Sequence, residues 1–366
     1  MGAAGVSGFD WGGPAQLGII EGIAESVASF AKLFSGYLSD HFPRRKPLVV
    51  SGYLVANLVK PLLALTTSWW QILGIRFADR FSKGIRGTAR DVMVADSVNK
   101  ARLGSACGLI QAMDSGGAIA GPLMAVLLLS RYGLRTIFWV AAVPGLLCVL
   151  VAWLGIRETR KRSSKAPRAP SSSPWWRPGL PRTFYFVLAV VTLFSLGNSS
   201  DMFLVLRAQD VGIPATHAPL LGLVFNITYT AFSWPAGKVS DRVSRRAIAA
   251  CGYLVFAAVY FLFGLAPSTR VIWFTMAFYG LFYALTNPVL KALVVEKVQA
   301  EVRGRALGIY FFCASVAALL ASVMTGEVWK YFGPAVPFYL SGSIAVVSAV
   351  LLLLSRLLRE PSRVSR

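Results

Sequence analysis

The sequence predicts an all-α membrane protein made of two related helix bundles, and three observations point there. Of its 366 residues, 55% are hydrophobic and only 14% charged, whereas about a quarter of a soluble domain is charged. A charged loop occurs twice, GYLSDHFPRR from Gly36 to Arg45 and GKVSDRVSRR from Gly237 to Arg246, at a spacing of 201. A second echo follows at a spacing of 200, VNKARLGSACG from Val98 to Gly108 and VQAEVRGRALG from Val298 to Gly308. Internal repetition on this scale marks a duplicated architecture. Finally, the basic residues alternate between loops. Six segments (44–46, 100–102, 157–182, 238–246, 297–305 and 356–366) hold 24 Lys and Arg, and the intervening loops hold five.

A spanning helix needs about 20 mostly apolar residues. Eleven such segments are predicted, at 15–39, 47–66, 69–97, 102–130, 135–156, 183–207, 217–239, 246–266, 270–296, 304–329 and 335–357. Each is read as helix because lipid offers the backbone no hydrogen-bond partners, and Gly and Pro inside them are packing or kink positions. The stretch 157–182 is basic and rich in Ser and Pro, so it reads as a linker, with Trp175 and Trp176 at headgroup level. The expected organisation is a five-helix half (1–156), the linker, a six-helix half (183–358) and a tail (359–366). Counted back from each repeated loop, the second half has two helices and the first has one, so one helix is expected to be missing at the front.

The net charge of +21 would suggest nucleic acid in a soluble protein. Its confinement to alternate loops reads instead as positive-inside patterning, which places the linker and the C-terminus in the cytoplasm. Neither a nucleic-acid partner nor a metal is expected: the four cysteines have no ligand spacing, and the two histidines, His41 and His217, lie in predicted loops. No cofactor is expected either. The chain carries no GxSxG, HExxH or phosphate-binding Gly-Lys-Ser/Thr pattern, so an enzyme or an ATP-driven pump is disfavoured.

Ionisable groups at membrane depth are costly and are the candidate site residues. Glu21, Glu25 and Lys32 fall on one helical stripe. A desolvated carboxylate there could carry a proton, or Glu25 and Lys32 could pair to fix helix packing. Arg76, Arg80, Lys83 and Arg90 form a cationic stripe suited to an anionic group, with Asp79, Arg86, Asp91 and Asp96 nearby. Intramembrane acids nearly match bases, so interhelical salt bridges explain the same residues. Asp114, Asn198 and Asp201 complete the candidates for substrate or ion coupling. In the repeated loop, Gly36 and Gly237 allow close helix approach, Asp40 and Asp241 can cap a neighbouring helix N-terminus, and Arg44, Arg45, Arg245 and Arg246 can pair with acids.

The paired G-x-x-x-D-x-x-x-R-R loops resemble the loop signature of the major facilitator superfamily, and the resemblance covers nearly the whole chain. Within it, LGIIEGIAES (Leu17 to Ser26), KPLVVSGY, DRFSKGIRGTARD and LGNSSD, ending at Asp201, resemble a subgroup of bacterial permeases. AIAGP (Ala118 to Pro122) resembles the helix-five kink motif. The chain departs from these patterns at Pro43, Ser82, Ala89 and Asn287, the last standing where a Glu is expected. On this resemblance the segments are helices two to twelve of twelve, and two half-bundles alternate access around a cavity between them. The protein is then expected to be a monomeric secondary transporter of the plasma or bacterial inner membrane. It would move a small solute, an anion if the stripe on 76–90 binds it, coupled to protons, with export favoured over import. The alternative is a non-transporting scaffold or receptor of the same fold, or a truncated inactive copy.

Overall fold

The computed structural model describes residues 14–42, 44–158, 179–266 and 268–354, with the side chains of 14–25, 129–131, 134 and 135 left aside. The linker tryptophans, most of the linker and the tail lie outside the described residues.

All regular structure among the described residues is helical. The helices are α1 (Pro14–His41), α2 (Lys46–Val59), α3 (Trp69–Ser97), α4 (Leu103–Val140), α5 (Ala142–Gly155), α6 (Arg182–Gly197), α7 (Met202–Asp210), α8 (Ala218–Ser240), α9 (Arg245–Leu265), α10 (Thr269–Glu296), α11 (Arg303–Phe332) and α12 (Val336–Leu354). Among the described residues, seven segments are long and apolar enough to cross a membrane by length and composition, Arg182–Asp210 and Arg245–Leu265 being two of them. Large apolar side chains such as Leu127, Val126 and Trp153 are exposed, as suits a protein whose solvent is lipid.

Three departures from straight helices have local causes. Pro61 ends α2, because its ring cannot follow the helix and it has no N–H to donate; a 3-10 turn, Pro61–Leu65, finishes the segment. Gly133 takes φ 73°, breaking α4 so that its end runs with α5 as the span Thr136–Gly155. The expected single helix at 183–207 is two, α6 and α7. At Asn198 the backbone leaves helical geometry (φ −102°, ψ 83°), and its N–H donates to Ser195 O at 3.2 Å. Asn, Ser and Asp side chains compete for backbone groups, and Asn198-Ser-Ser-Asp201 concentrates them.

The chain divides into two compact units. Unit 1 comprises Met1–Ser97, Gly121–Gly179 and Ala300–Phe312; unit 2 comprises Val98–Ala120, Leu180–Gln299 and Cys313–Arg366. In unit 1, α3 packs on α1 and α2, and α2 packs on α5; in unit 2, α10 packs on α8 and α9, and α9 packs on α12. The same pattern therefore recurs with the repeat. The cores differ in material. Unit 1 uses small residues: a Cβ on Gly84 would meet Ala31 Cβ at 2.5 Å and Ala28 O at 2.9 Å, so α1 and α3 touch through backbone. Unit 2 is filled with rings. Phe194 stacks on Tyr253 at 3.9 Å and Phe256 on Tyr260 at 3.8 Å, all four buried.

Candidate functional site

The two repeated elements of the sequence are each other's partners. In unit 1, Asp40 near the end of α1 receives the first turn of α11: Gly304 N–H donates to Oδ1 and Arg305 N–H to Oδ2, both at 2.8 Å, and Arg305 Nε–H reaches Oδ2 at 3.4 Å. In unit 2, Asp241 after α8 receives the first turn of α4. Gly104 N–H donates to Oδ1 at 2.7 Å, and Ser105 donates through its N–H (2.8 Å) and its hydroxyl (2.6 Å) to Oδ2. The first N–H groups of a helix have no intrahelical acceptor, and the helix dipole is positive there, so a carboxylate is a suitable cap. We call each arrangement a clamp.

Glycine makes both clamps sterically feasible. A Cβ on Gly36 would collide with the Gly304 carbonyl and sit 3.0 Å from Gly308 Cα; one on Gly237 would collide with the Gly104 carbonyl and sit 3.1 Å from Gly108 Cα.

Beside each clamp an arginine ties the next two helices together. Arg45, 3% exposed, pairs with Asp96 at the end of α3 and donates from Nε to Ser39 O at 2.7 Å; Asp96 also pairs with Arg303 of α11. Arg245 pairs with Glu296 at the end of α10, and donates to Asp241 Oδ1 at 2.9 Å and Lys100 O at 3.0 Å. Alignment of the loops from their aspartates matches Arg44 with Arg245, but the equivalent arginine is Arg45. The first loop has one more residue between its Asp and this Arg. Arg44 is exposed and Arg246 half-buried. Glu158 joins unit 1's network, accepting from Arg45 N–H at 2.8 Å and Lys46 N–H at 3.1 Å at the start of α2.

The two aspartates differ in charge balance. Burial pushes the Asp40 carboxyl up to about 6, against the opposing pull of the Arg305 and Gly304 N–H groups and the charges of Arg305 and Arg45. Burial also acts on Asp241, but the hydroxyl and N–H of Ser105, Arg245 and the Gly104 N–H together outweigh it and hold the carboxyl below its ordinary value. Ser105 and Arg305 occupy the same place in the two echoes, and the serine adds a short hydroxyl bond that Arg305, at 3.4 Å, does not match.

The other candidates are dispersed. The side chains of Glu21 and Glu25 lie outside those described. Lys32 Nζ stands 5.7 Å from the Phe311 ring centre, and the Arg86 guanidinium 4.3 Å from that of Tyr53. Arg90 pairs with Asp91 at 3.5 Å, and Lys60 with Asp79 at 3.7 Å. Arg80 is half-buried, whereas Lys83 and Asp114 are exposed. The departures Ser82 and Ala89 are both buried on α3. In unit 2, Asp201 Oδ1 accepts from the Tyr279 hydroxyl at 2.7 Å, and Asn287, where the resemblance anticipates Glu, donates to the Tyr229 hydroxyl at 2.7 Å. Sequence reasoning passed over Gly104, Ser105, Gly304, Arg305, Glu158 and these tyrosines. The echo at Val98 and Val298 was the available signal for the first four.

The family model described as Major Facilitator Superfamily matches residues 6–206 and 185–366. The chain belongs to the Major Facilitator Superfamily. An uncharacterized MFS-type transporter of Methanocaldococcus jannaschii is 31% identical over 353 residues, covering 93% of this chain and 86% of its own. The multidrug resistance protein MdtG of Escherichia coli is 22% identical over 343 residues, covering 91% and 82%. Among solved structures, the E. coli fucose:proton symporter FucP superposes with a TM-score of 0.78 at 14% identity, covering 95% of this chain and 92% of that one. The protein is thus a multi-pass membrane protein with the all-α fold of this superfamily.

Proposed function

We propose that the protein is a secondary active transporter that moves a small solute by alternating access. Protons drive it, and export is its direction. The observation that carries this reading is the duplicated clamp. A carboxylate seated on a helix N-terminus, over a glycine contact with no interlocking side chains, can separate and re-form without repacking a core. Two such clamps with the same construction suit a cycle in which each helix N-terminus parts from its carboxylate and rejoins it. The basic loops support a cytoplasmic position for the clamp loops, and a plasma or bacterial inner membrane is the expected location. Export is supported by the name of the MdtG relative. Proton coupling is supported by Glu25 and Asp201, ionisable groups within predicted spans. Of the α3 stripe, Arg90 pairs with Asp91, which supports a structural role for that member; an anionic solute held by Arg76, Arg80 and Lys83 stays part of the proposal. The protein is expected to act as a monomer.

The test is solute-evoked proton movement in proteoliposomes loaded with a pH-sensitive dye, across a broad solute panel. Wild type is expected to move protons with at least one solute, and Asp201→Asn or Glu25→Gln to abolish pH-gradient-driven flux. Full flux retained in both variants would sink the proton assignment. A folded protein that responds to no solute would favour a non-transporting scaffold.

A further inference from the structure

The first span of unit 2 is broken at a carboxylate. α6 stops at Gly197 and α7 begins at Met202, with Asp201 at its N-cap position inside the segment Arg182–Asp210. Asp201 remains exposed, yet what stands behind it is buried. Tyr279, 1% exposed, donates its hydroxyl to Oδ1 at 2.7 Å. The Tyr283 ring lies 5.2 Å from Tyr279 at 88° and 5.2 Å from Phe225 at 79°. Behind these, Tyr229 lies 5.5 Å from Tyr283, and its hydroxyl is fixed by Asn287. Tyr283 and Phe225 are themselves half-buried, so both the carboxylate and part of the aromatic wall are accessible.

A neutral hydroxyl orients the carboxylate but leaves its charge uncompensated. Among the described residues, no Lys, Arg or His forms an ion pair with Asp201. Six other acids, Asp40, Asp79, Asp91, Asp96, Asp241 and Glu296, each have a cationic partner. An anionic group in a membrane span calls for a counter-charge. The surrounding π faces favour one that is positive and carries apolar surface, since aromatic rings attract a cation through their quadrupole while burying its body.

We infer that Asp201, with Tyr279, Tyr283 and Phe225, binds an organic cation, an ammonium or phosphonium centre carrying apolar groups. This assigns a substrate class within the transport reading above and rests on it. The test reads binding rather than flux, so a missing cation site and a missing transport activity give different results. Purified full-length protein in detergent is titrated with radiolabelled tetraphenylphosphonium, whose charge does not depend on pH, and challenged with tetraphenylborate, which has the same shape and opposite charge. Saturable phosphonium binding that the borate does not compete for is expected. Asp201→Asn and Tyr283→Leu should each weaken it by about tenfold or more, whereas Tyr283→Phe, which keeps the ring, should stay within about twofold. Should Asp201→Asn elute as aggregate, the contrast between Tyr283→Leu and Tyr283→Phe decides. Absence of phosphonium binding by wild type overturns the assignment. So do equal binding of the borate, wild-type affinity in a folded Asp201→Asn, and equal affinity in the two Tyr283 variants.

Discussion

Replacing each clamp aspartate by asparagine should destabilise the protein unequally. Asp241 accepts four hydrogen bonds, from Gly104 N–H, Ser105 N–H, the Ser105 hydroxyl and Arg245. Asparagine keeps one acceptor oxygen and turns an NH2 group toward a backbone N–H, leaving a buried donor unmet and Arg245 with one carboxylate fewer. Breaking a buried charged pair costs about 3–5 kcal/mol. Asp40 has two short backbone donors and a long contact to Arg305, and its charge is held against strong desolvation. Asparagine relieves that desolvation, so the loss should be about 1–2 kcal/mol, near that of a single buried hydrogen bond. At about 2–4 °C per kcal/mol, the apparent melting temperature in detergent should fall by about 6 °C or more in Asp241→Asn and by less than half as much in Asp40→Asn. The native thiol Cys107, one turn after Gly104 on α4, gives a local reading. With the other three cysteines replaced by serine, its maleimide labelling should accelerate in Asp241→Asn and not in Asp40→Asn. Equal melting shifts, or a larger one for Asp40→Asn, would refute the assignment of the stronger clamp to Asp241.

Other outcomes follow from the same geometry. Gly36→Ala drives a Cβ into the Gly304 backbone, which cannot swing aside, and should cost about 1–3 kcal/mol as overpacking. Gly87→Ala on α3 has nothing within 4 Å of its new Cβ and should leave stability unchanged or raise it by up to about 1 kcal/mol; thermal melts compare the two, and a stable Gly36→Ala would remove the close-contact argument. Asp40 binds its proton more tightly folded than unfolded, with a pKa near 6 against 3.8. Its contribution therefore falls as pH rises through about 6 and is regained toward about 4. Asp241, held low, contributes above about pH 4 and loses that contribution on further acidification. A protonated-carboxyl infrared band that disappears in Asp40→Asn, and not in Asp241→Asn, should therefore grow in between about pH 7 and about pH 5. A band that tracks Asp241 instead would reverse the two assignments.

Much of the fold was legible because bilayer-length apolar runs leave little choice. The segment predicted at 69–97 is α3, Trp69–Ser97, and that at 270–296 is α10, Thr269–Glu296, to within a residue. What escaped was local backbone chemistry inside apolar stretches. The α6–α7 break lies in a run hydrophobic enough to read as one helix, and four polar residues decide it. The turn at Pro61 was hidden in the same way. In the clamps, the aspartates were visible as caps, but which helix each would cap was not, because pairing between residues 264 and 137 positions apart leaves no periodicity in the sequence. The one-residue slip between Asp40 and Arg45 was equally invisible. Both loops carry two consecutive arginines, and only burial distinguishes Arg45 from Arg44. The tyrosines around Asp201 lie inside apolar runs and carry no motif that points to them.

Opening of the unit 1 clamp can be followed directly with nitroxide labels at His41→Cys and Glu301→Cys, both exposed and flanking the Asp40 contact with α11. Pulsed electron–electron distance measurement in lipid nanodiscs should show a short population at neutral pH that gives way to a longer one in Asp40→Asn. In the Asp40 protein the short population should persist or grow on acidification through about pH 6, because the carboxyl holds its proton more tightly while the clamp keeps it buried. An unchanged short distance in Asp40→Asn, or a longer one in the Asp40 protein on acidification, would contradict this account of the clamp.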